Sequence, residues 1–303
     1  MTGRHAVLVG VTSSGKSELA MALARRDPRW ELVSVDSMQV YRGMDIGTAK
    51  PTAAERAEVP HHMLDLLDPW EDGTVAWFQR QAVDVIADIE SRGRRALLVG
   101  GTALYVQAIV DDLEIPGRFP EVRVGLEAEH DTERLHARLV GLDPVAAARM
   151  EPGNRRRVVR ALEVTLGSGR PFSSFGPGLD VHPPTAFTLV GLRRTTDDLR
   201  ARIAVRYALQ FDAGLLDEVR RLWAHPRGVS RTAAQALGYK ELHDHLTGDL
   251  DLDDAIALAI HRTSRFARRQ SAWFRRDPRI TWLDLEPGSD GNLLVDALAR
   301  TVG

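Results

Sequence analysis

The 303-residue chain contains no cysteine. That absence excludes a disulfide scaffold, a thiolate zinc site, an iron–sulfur cluster and a cysteine nucleophile. No apolar run approaches the roughly 20 residues of a membrane span, so no membrane partner is expected. The opening stretch MTGRHAVLVG lacks the hydrophobic region and cleavage site of a secretory signal, and the expected compartment is the cytoplasm. Excess charge of one sign is missing too: the net is −2, so no bulk basicity advertises a nucleic-acid partner. Lysine is scarce, with Lys16, Lys50 and Lys240 standing against 37 arginines. A GC-rich coding sequence accounts for the bias; what matters is where a lysine persists and where arginines crowd. What is present, 44% hydrophobic and 27% charged residues, belongs to a folded globular chain and excludes disorder for most of it.

Ala6–Val9 reads as a short buried strand ended by Gly10, and the apolar spacing from Lys16 to Arg26 as a helix. Leu32–Val35 is a second strand ending at Asp36, Thr74–Arg92 a helix, and Ala96–Val99 another strand broken by Gly100-Gly101. Near-continuous apolar strands alternating with helices predict an α/β fold with a parallel sheet core. Beyond the connector Glu114–Pro120 the pattern becomes helical, at about Glu121–Val140, Pro144–Met150 and Arg155–Leu166. Gly167–Pro184 reads as a long loop and Phe187–Leu192 as a returning strand. The remainder reads as helical, over Thr196–Ala213, Leu215–Ala224, Arg231–Leu246 and Leu252–Arg276. The economical division is an α/β core over 1–112 and 186–303, interrupted by a helical insertion over 113–185.

Gly10-Val11-Thr12-Ser13-Ser14-Gly15-Lys16-Ser17 fits G-x-x-x-x-G-K-[ST] and lies between a predicted strand and a predicted helix. Glycines let such a loop curl so that its N–H groups converge on an anion, helped by the following helix N-terminus. Lys16 adds a point charge to terminal phosphates, and the Ser17 hydroxyl is a ligand for Mg²⁺. The motif predicts a P-loop that binds a diphosphate, with ATP or another nucleotide as one bearer of it. Asp36 sits at the carboxyl end of the second strand, the edge where open α/β sheets bind ligands. A carboxylate there takes a proton from an acceptor nucleophile, holds a metal through water, or caps the next turn. Gly100-Gly101-Thr102 ends another strand at the same edge.

These blocks, read together, resemble the tRNA dimethylallyltransferases, the bacterial-type tRNA isopentenyltransferase family. The resemblance rests on the P-loop with Thr12, on Asp36-Ser37-Met38-Gln39 followed by Tyr41–Pro51, and on Pro60-His61-His62. It extends through Gly100–Tyr105, Arg160–Val164, Gly238-Tyr239-Lys240 and Arg268-Arg269-Gln270, in the family order from residue 10 to residue 270. It implies a P-loop NTPase-like core that transfers a dimethylallyl group from dimethylallyl diphosphate to the exocyclic amine of the adenosine 3′ to the anticodon, releasing pyrophosphate. Asp36 would hydrogen-bond that amine and act as its base. Lys16, Ser17 with Mg²⁺, Thr12 and Arg206 would stabilise charge on the leaving pyrophosphate. By spacing alone Arg206, at i, i+4 from Arg202, reads as a solvated surface arginine.

The partner implied is the tRNA anticodon stem-loop, bound by a monomer. Its expected contacts are Asp36, Ser37, Met38, Gln39, Thr102, Arg123, Arg156, Arg157, Val158, Val159, Arg160, and Gln235, Ala236, Leu237, Gly238, Tyr239, Lys240. The family usually has Gln where this chain has Arg156, a difference that bears on base reading at that point and keeps the helix basic. Arg262, Arg265, Arg268, Arg269, Arg275 and Arg276, with Trp273 and Phe274, read either as an RNA surface or as a solvated helix face. His61-His62 lacks a carboxylate at ligand spacing and does not read as a metal site. Alternatives are a prenyltransferase acting on free adenine nucleotides, a P-loop small-molecule kinase, and a P-loop RNA-binding switch. The arginine-bearing insertion argues against the first, and the Asp36 block against the last.

Overall fold

The computed structural model describes residues 5–286 and 288–303. Contacts divide them into two compact units: the described residues of Met1–Val110 with Pro184–Gly303, and Asp111–Pro183. The first unit opens with β1 (His5–Gly10), α1 (Lys16–Arg26), β2 (Trp30–Val35), α2 (Ala53–Glu58), β3 (His61–His62), α3 (Val75–Ser91), β4 (Arg95–Gly100) and α4 (Ala103–Val110). The second unit holds α5 (Pro120–Glu127), α6 (Thr132–Leu142), α7 (Pro144–Ala148) and α8 (Arg155–Ser168). The first resumes with β5 (Phe187–Arg193), α9 (Thr196–Asp212), α10 (Leu215–Trp223), α11 (Tyr239–Leu246), α12 (Leu252–Phe274), β6 (Thr281–Asp284) and α13 (Gly291–Val302).

The strands form one parallel sheet in the order β3-β2-β4-β1-β5-β6. Its residues alternate between two cores, as burial on both faces requires. Val7, Val9, Val33, Val35 and Leu98 pack on one face, while Ala6, Leu8, Leu32, Leu97 and Val190 pack on the other with α1 and α13. Register brings the carboxyl ends level: Val9 and Val35 both stand opposite Gly100, and Gly10 stands opposite Leu192. The loops after β1, β2, β4 and β5 therefore emerge at one edge. The parallel-sheet reading is borne out, with its strands extended by one or two residues at their ends.

Three local readings are corrected. The helix expected over Glu121–Val140 is two helices, because Asp131 caps a new one by accepting the N–H groups of Glu133 and Arg134. The Arg231–Leu246 segment is a 3₁₀ turn over Ala233–Gln235 followed by α11. Finally, the end of the chain is not wholly helical, because Thr281–Asp284 pairs with β5 from Val190 to Arg193. That strand is four residues long and half-exposed, so its pattern alone carries no period; the partner strand defines it. His61 and His62 form β3, hydrogen-bonded through their rings to the Val59 carbonyl and to Glu31.

Candidate active site

The phosphate-loop sequence turns at the carboxyl end of β1. Gly15 has φ 93°, a backbone that L side chains rarely adopt, and the turn sets Lys16 as the first residue of α1. The loop's carbonyls face outward onto cations: Arg194 Nε donates to Ser14 O at 2.7 Å, and Arg202 Nε to Ser13 O at 2.9 Å. Lys16 Nζ lies 3.4 Å from Val11 O, a long contact that leaves most of its hydrogen-bonding capacity unused. The buried Ser13 and Ser14 hydroxyls make no hydrogen bond to the protein. Positive charge, loop N–H groups and uncommitted hydroxyls at one turn fit a diphosphate.

Arg206 is half-buried, in contrast to the solvated arginine that spacing suggests. Its Nη1 donates to Thr12 Oγ1 at 3.1 Å and its Nη2 to Gly47 O at 3.2 Å. Burial lowers the pKa of Lys16 to about 8, opposed by the attraction of Asp36 and reinforced by repulsion from Arg206. Burial also lowers that of Arg206, against the attraction of Tyr207 and Asp36. Two cations and one carboxylate thus share a single electrostatic neighbourhood at the sheet edge. A cavity of about 1050 Å³ borders it, with Lys16, Ser17, Lys50 and Arg206 on its polar wall and Val205 and Leu209 on its apolar wall.

Asp36 follows β2, and its Oδ1 accepts the Met38 N–H at 2.8 Å, so one oxygen caps the turn while the other is left for chemistry. Ser37 N–H donates to Thr102 Oγ1 at 3.3 Å, tying this turn to the loop after β4. Gln39 is engaged with Ser34 and with the carbonyls of Thr48 and Ala49. Lys50, buried, donates to Tyr41 O and to Asp45 and Asp65, both at 2.6 Å, and so pins the Asp36–Pro51 block.

Several residues of this assembly escaped the sequence reading. Gln270, on α12, accepts the Thr12 N–H at 2.9 Å and donates to Gly101 O at 2.8 Å, bridging the phosphate loop to the loop after β4. Arg194 follows a parallel strand at its carboxyl end, which is a readable signal. Gln270 lay inside a recognised block, but only packing reveals its bridge.

The expected RNA contacts fall into two groups. Arg156 and Arg157 are exposed on α8, and Gln235 and Lys240 are exposed near α11. Val158 and Val159 are instead core residues of the helical unit, at 0% and 2% exposure, and offer no side chain to a partner. Ala236, Gly238 and Tyr239 are likewise buried, Tyr239 completely. Arg123 and Arg160 converge on the buried Glu163, at 3.2 and 2.9 Å, so part of their charge is spent within the unit. On α12, Arg262 pairs with Glu241 and Phe274 is buried, while Arg265, Arg268 and Arg269 are exposed.

The sequence model of the IPP transferase family matches residues 39–277. The chain belongs to that family. The resemblance carried by the motif blocks is thereby borne out. A "tRNA dimethylallyltransferase" of Kineococcus radiotolerans is 49% identical over 291 residues, covering 93% of this chain and 91% of the relative. Among solved structures, the full-length tRNA isopentenylpyrophosphate transferase of Bacillus halodurans is 37% identical with a TM-score of 0.71, covering 98% of this chain and 96% of that one. A eukaryotic dimethylallyltransferase acting on tRNA superposes with a TM-score of 0.81 at 26% identity, covering 97% of this chain and 77% of its own. This IPP transferase is therefore an enzyme of prenyl transfer, and among its described residues no helix is long and apolar enough to cross a membrane.

Proposed function

We propose that this IPP transferase moves a dimethylallyl group from dimethylallyl diphosphate to the exocyclic amine of the adenosine 3′ to the anticodon of tRNA. The observation that carries the reading is the Arg206–Thr12 hydrogen bond, which sets a guanidinium on the glycine-rich loop at the same sheet edge where Asp36 follows β2. The amine nitrogen attacks C1 of the dimethylallyl group, the C1–O bond breaks, and its electron pair leaves with pyrophosphate. Asp36 accepts the proton that the amine loses. Lys16 and Arg206 face the negative charge that grows on the leaving oxygen, and Thr12, whose oxygen is occupied by Arg206, keeps its hydroxyl hydrogen for a phosphate.

Ser17 stands exposed at the first turn of α1 and suits a hard cation that takes its remaining ligands from phosphate and water. When bound there, Mg²⁺ would neutralise phosphate charge. The exposed Arg156 and Arg157, with Gln235 and Lys240, are the residues we assign to RNA. The target base must leave its stack to be modified, which favours contacts to the surrounding phosphates.

The decisive experiment supplies labelled dimethylallyl diphosphate with bulk tRNA, AMP or ATP in separate reactions. Label entering tRNA, with one pyrophosphate released per transfer, is the expected result. Label entering AMP alone, or phosphate transfer from ATP, would replace this reading with one of its alternatives.

A further inference from the structure

Glu218, on α10, is a carboxylate at 2% exposure, and among the described residues no cation pairs with it. Its acceptors are filled by neutral donors: the backbone N–H groups of Asp45 at 2.9 Å, Ile46 at 2.9 and 3.1 Å, and Gly47 at 3.2 Å. The hydroxyl of the buried Tyr239 donates to it at 2.5 Å. The Tyr239 ring lies so close to Gly47 that a Cβ there would stand 2.3 Å from it, which leaves only glycine admissible.

A buried carboxylate held only by neutral donors is costly to keep, and removing its partners costs more. What it organises is three successive amides of an irregular segment. With those N–H groups directed at Glu218, the carbonyls of Ile46 and Gly47 face α9. Ile46 O accepts Gln210 Nε2 at 2.6 Å, and Gly47 O accepts Gln210 at 3.1 Å and Arg206 Nη2 at 3.2 Å. Arg206 in turn reaches Thr12 of the phosphate loop. Among the described residues its direct partners are a carbonyl and a hydroxyl rather than a carboxylate.

We propose that Glu218 is a positioning residue for the transfer reaction: with Tyr239 it fixes Asp45–Gly47 so that the Gly47 carbonyl sets the Arg206 guanidinium against Thr12. The inference rests on the reading of Arg206 as a stabiliser of the leaving pyrophosphate. It also gives the Gly238-Tyr239 block a role other than touching RNA, because Tyr239 acts from inside the core.

The test is a double-mutant cycle on steady-state kinetics, with tRNA affinity and circular dichroism measured alongside. Arg206→Ala should lower kcat about 10²-fold, the scale of losing one preorganised donor to a developing anion. Glu218→Gln, which turns an acceptor oxygen into a donor facing N–H groups, should lower kcat about 10-fold or more, while KM for dimethylallyl diphosphate moves less than about 3-fold. In the Arg206→Ala background the same change should cost less than about 2-fold, since residues acting as one unit are not additive. Tyr239→Phe keeps the carboxylate and its amides and guards against a Glu218 variant that fails to fold. It should lower kcat about 3-fold, again only while Arg206 is present, with tRNA affinity unchanged. Multiplicative losses in the cycle, or a changed tRNA affinity in Tyr239→Phe, would overturn the proposal. Near-normal turnover of Arg206→Ala would remove the reading of Arg206, and with it this inference.

Discussion

Arg206 donates to the Thr12 hydroxyl at 3.1 Å across 194 positions of the chain. Through that bond α9 closes one side of the phosphate loop, and the loop gains a guanidinium that its own sequence does not contain. The half-buried guanidinium is held there by two neutral acceptors, the Thr12 hydroxyl and the Gly47 carbonyl. Four expectations follow from this arrangement and its neighbours.

Asp36→Asn should preserve the fold and diphosphate binding, because the amide retains an oxygen for the Met38 N–H. Turnover should fall by about 10²–10⁴-fold, the usual contribution of a positioned base. Single-turnover transfer with saturating tRNA measures it; a rate near that of the parent would remove Asp36 as the base.

Lys16 has a folded pKa of about 8, lowered from 10.5. Because the free enzyme loses this proton as pH rises through about 8, diphosphate affinity should weaken across that range. A bound diphosphate favours the ammonium, so binding above pH 8 should take up a proton from buffer. The stability effect has the opposite sense: between the folded and unfolded values the unfolded chain holds more protons, so the group's contribution to stability rises with pH there. Calorimetric binding in two buffers of different ionisation heat tests the uptake. Lys16→Arg, with its charge retained at all these pH values, should abolish it.

Arg156 and Arg157 are exposed, whereas Arg123 and Arg160 are drawn to Glu163. Changing the first two together to alanine should reduce the slope of log affinity for tRNA against log salt by about 1.4–1.8, the release expected for two phosphate contacts. Arg123→Ala should instead lower the stability of the helical unit, by removing a partner from a buried carboxylate. An unaltered salt slope in the double variant would place RNA elsewhere on the chain.

Gln270→Leu leaves the part-buried Thr12 N–H and the buried Gly101 carbonyl without their partner. Each such loss costs about 1–3 kcal/mol, so thermal unfolding should occur several degrees lower. Diphosphate affinity should fall as well, since the Thr12 end of the phosphate loop is freed. Full affinity in the folded variant would show that the loop holds its shape unaided.

Read along the chain, the sequence alone determined the glycine-bounded turn over Gly10–Ser17 between strand and helix, the buried strands and their parallel pairing class, Asp36 as a strand-end carboxylate, and the family. Each is written in contiguous residues: glycine spacing, unbroken apolar runs, or a block such as Asp36–Pro51. Packing alone decided which polar residues meet. Gln270 reaches Thr12 across 258 positions, and Glu218 gathers the amides of Asp45–Gly47 from about 170 positions away. The short strand Thr281–Asp284 exists because β5 pairs with it. In α8, successive residues separate into exposed Arg156 and Arg157, core Val158 and Val159, and carboxylate-bound Arg160. An arginine's role follows from its burial and from the oxygen it faces, and in a chain with 37 of them composition is silent on both.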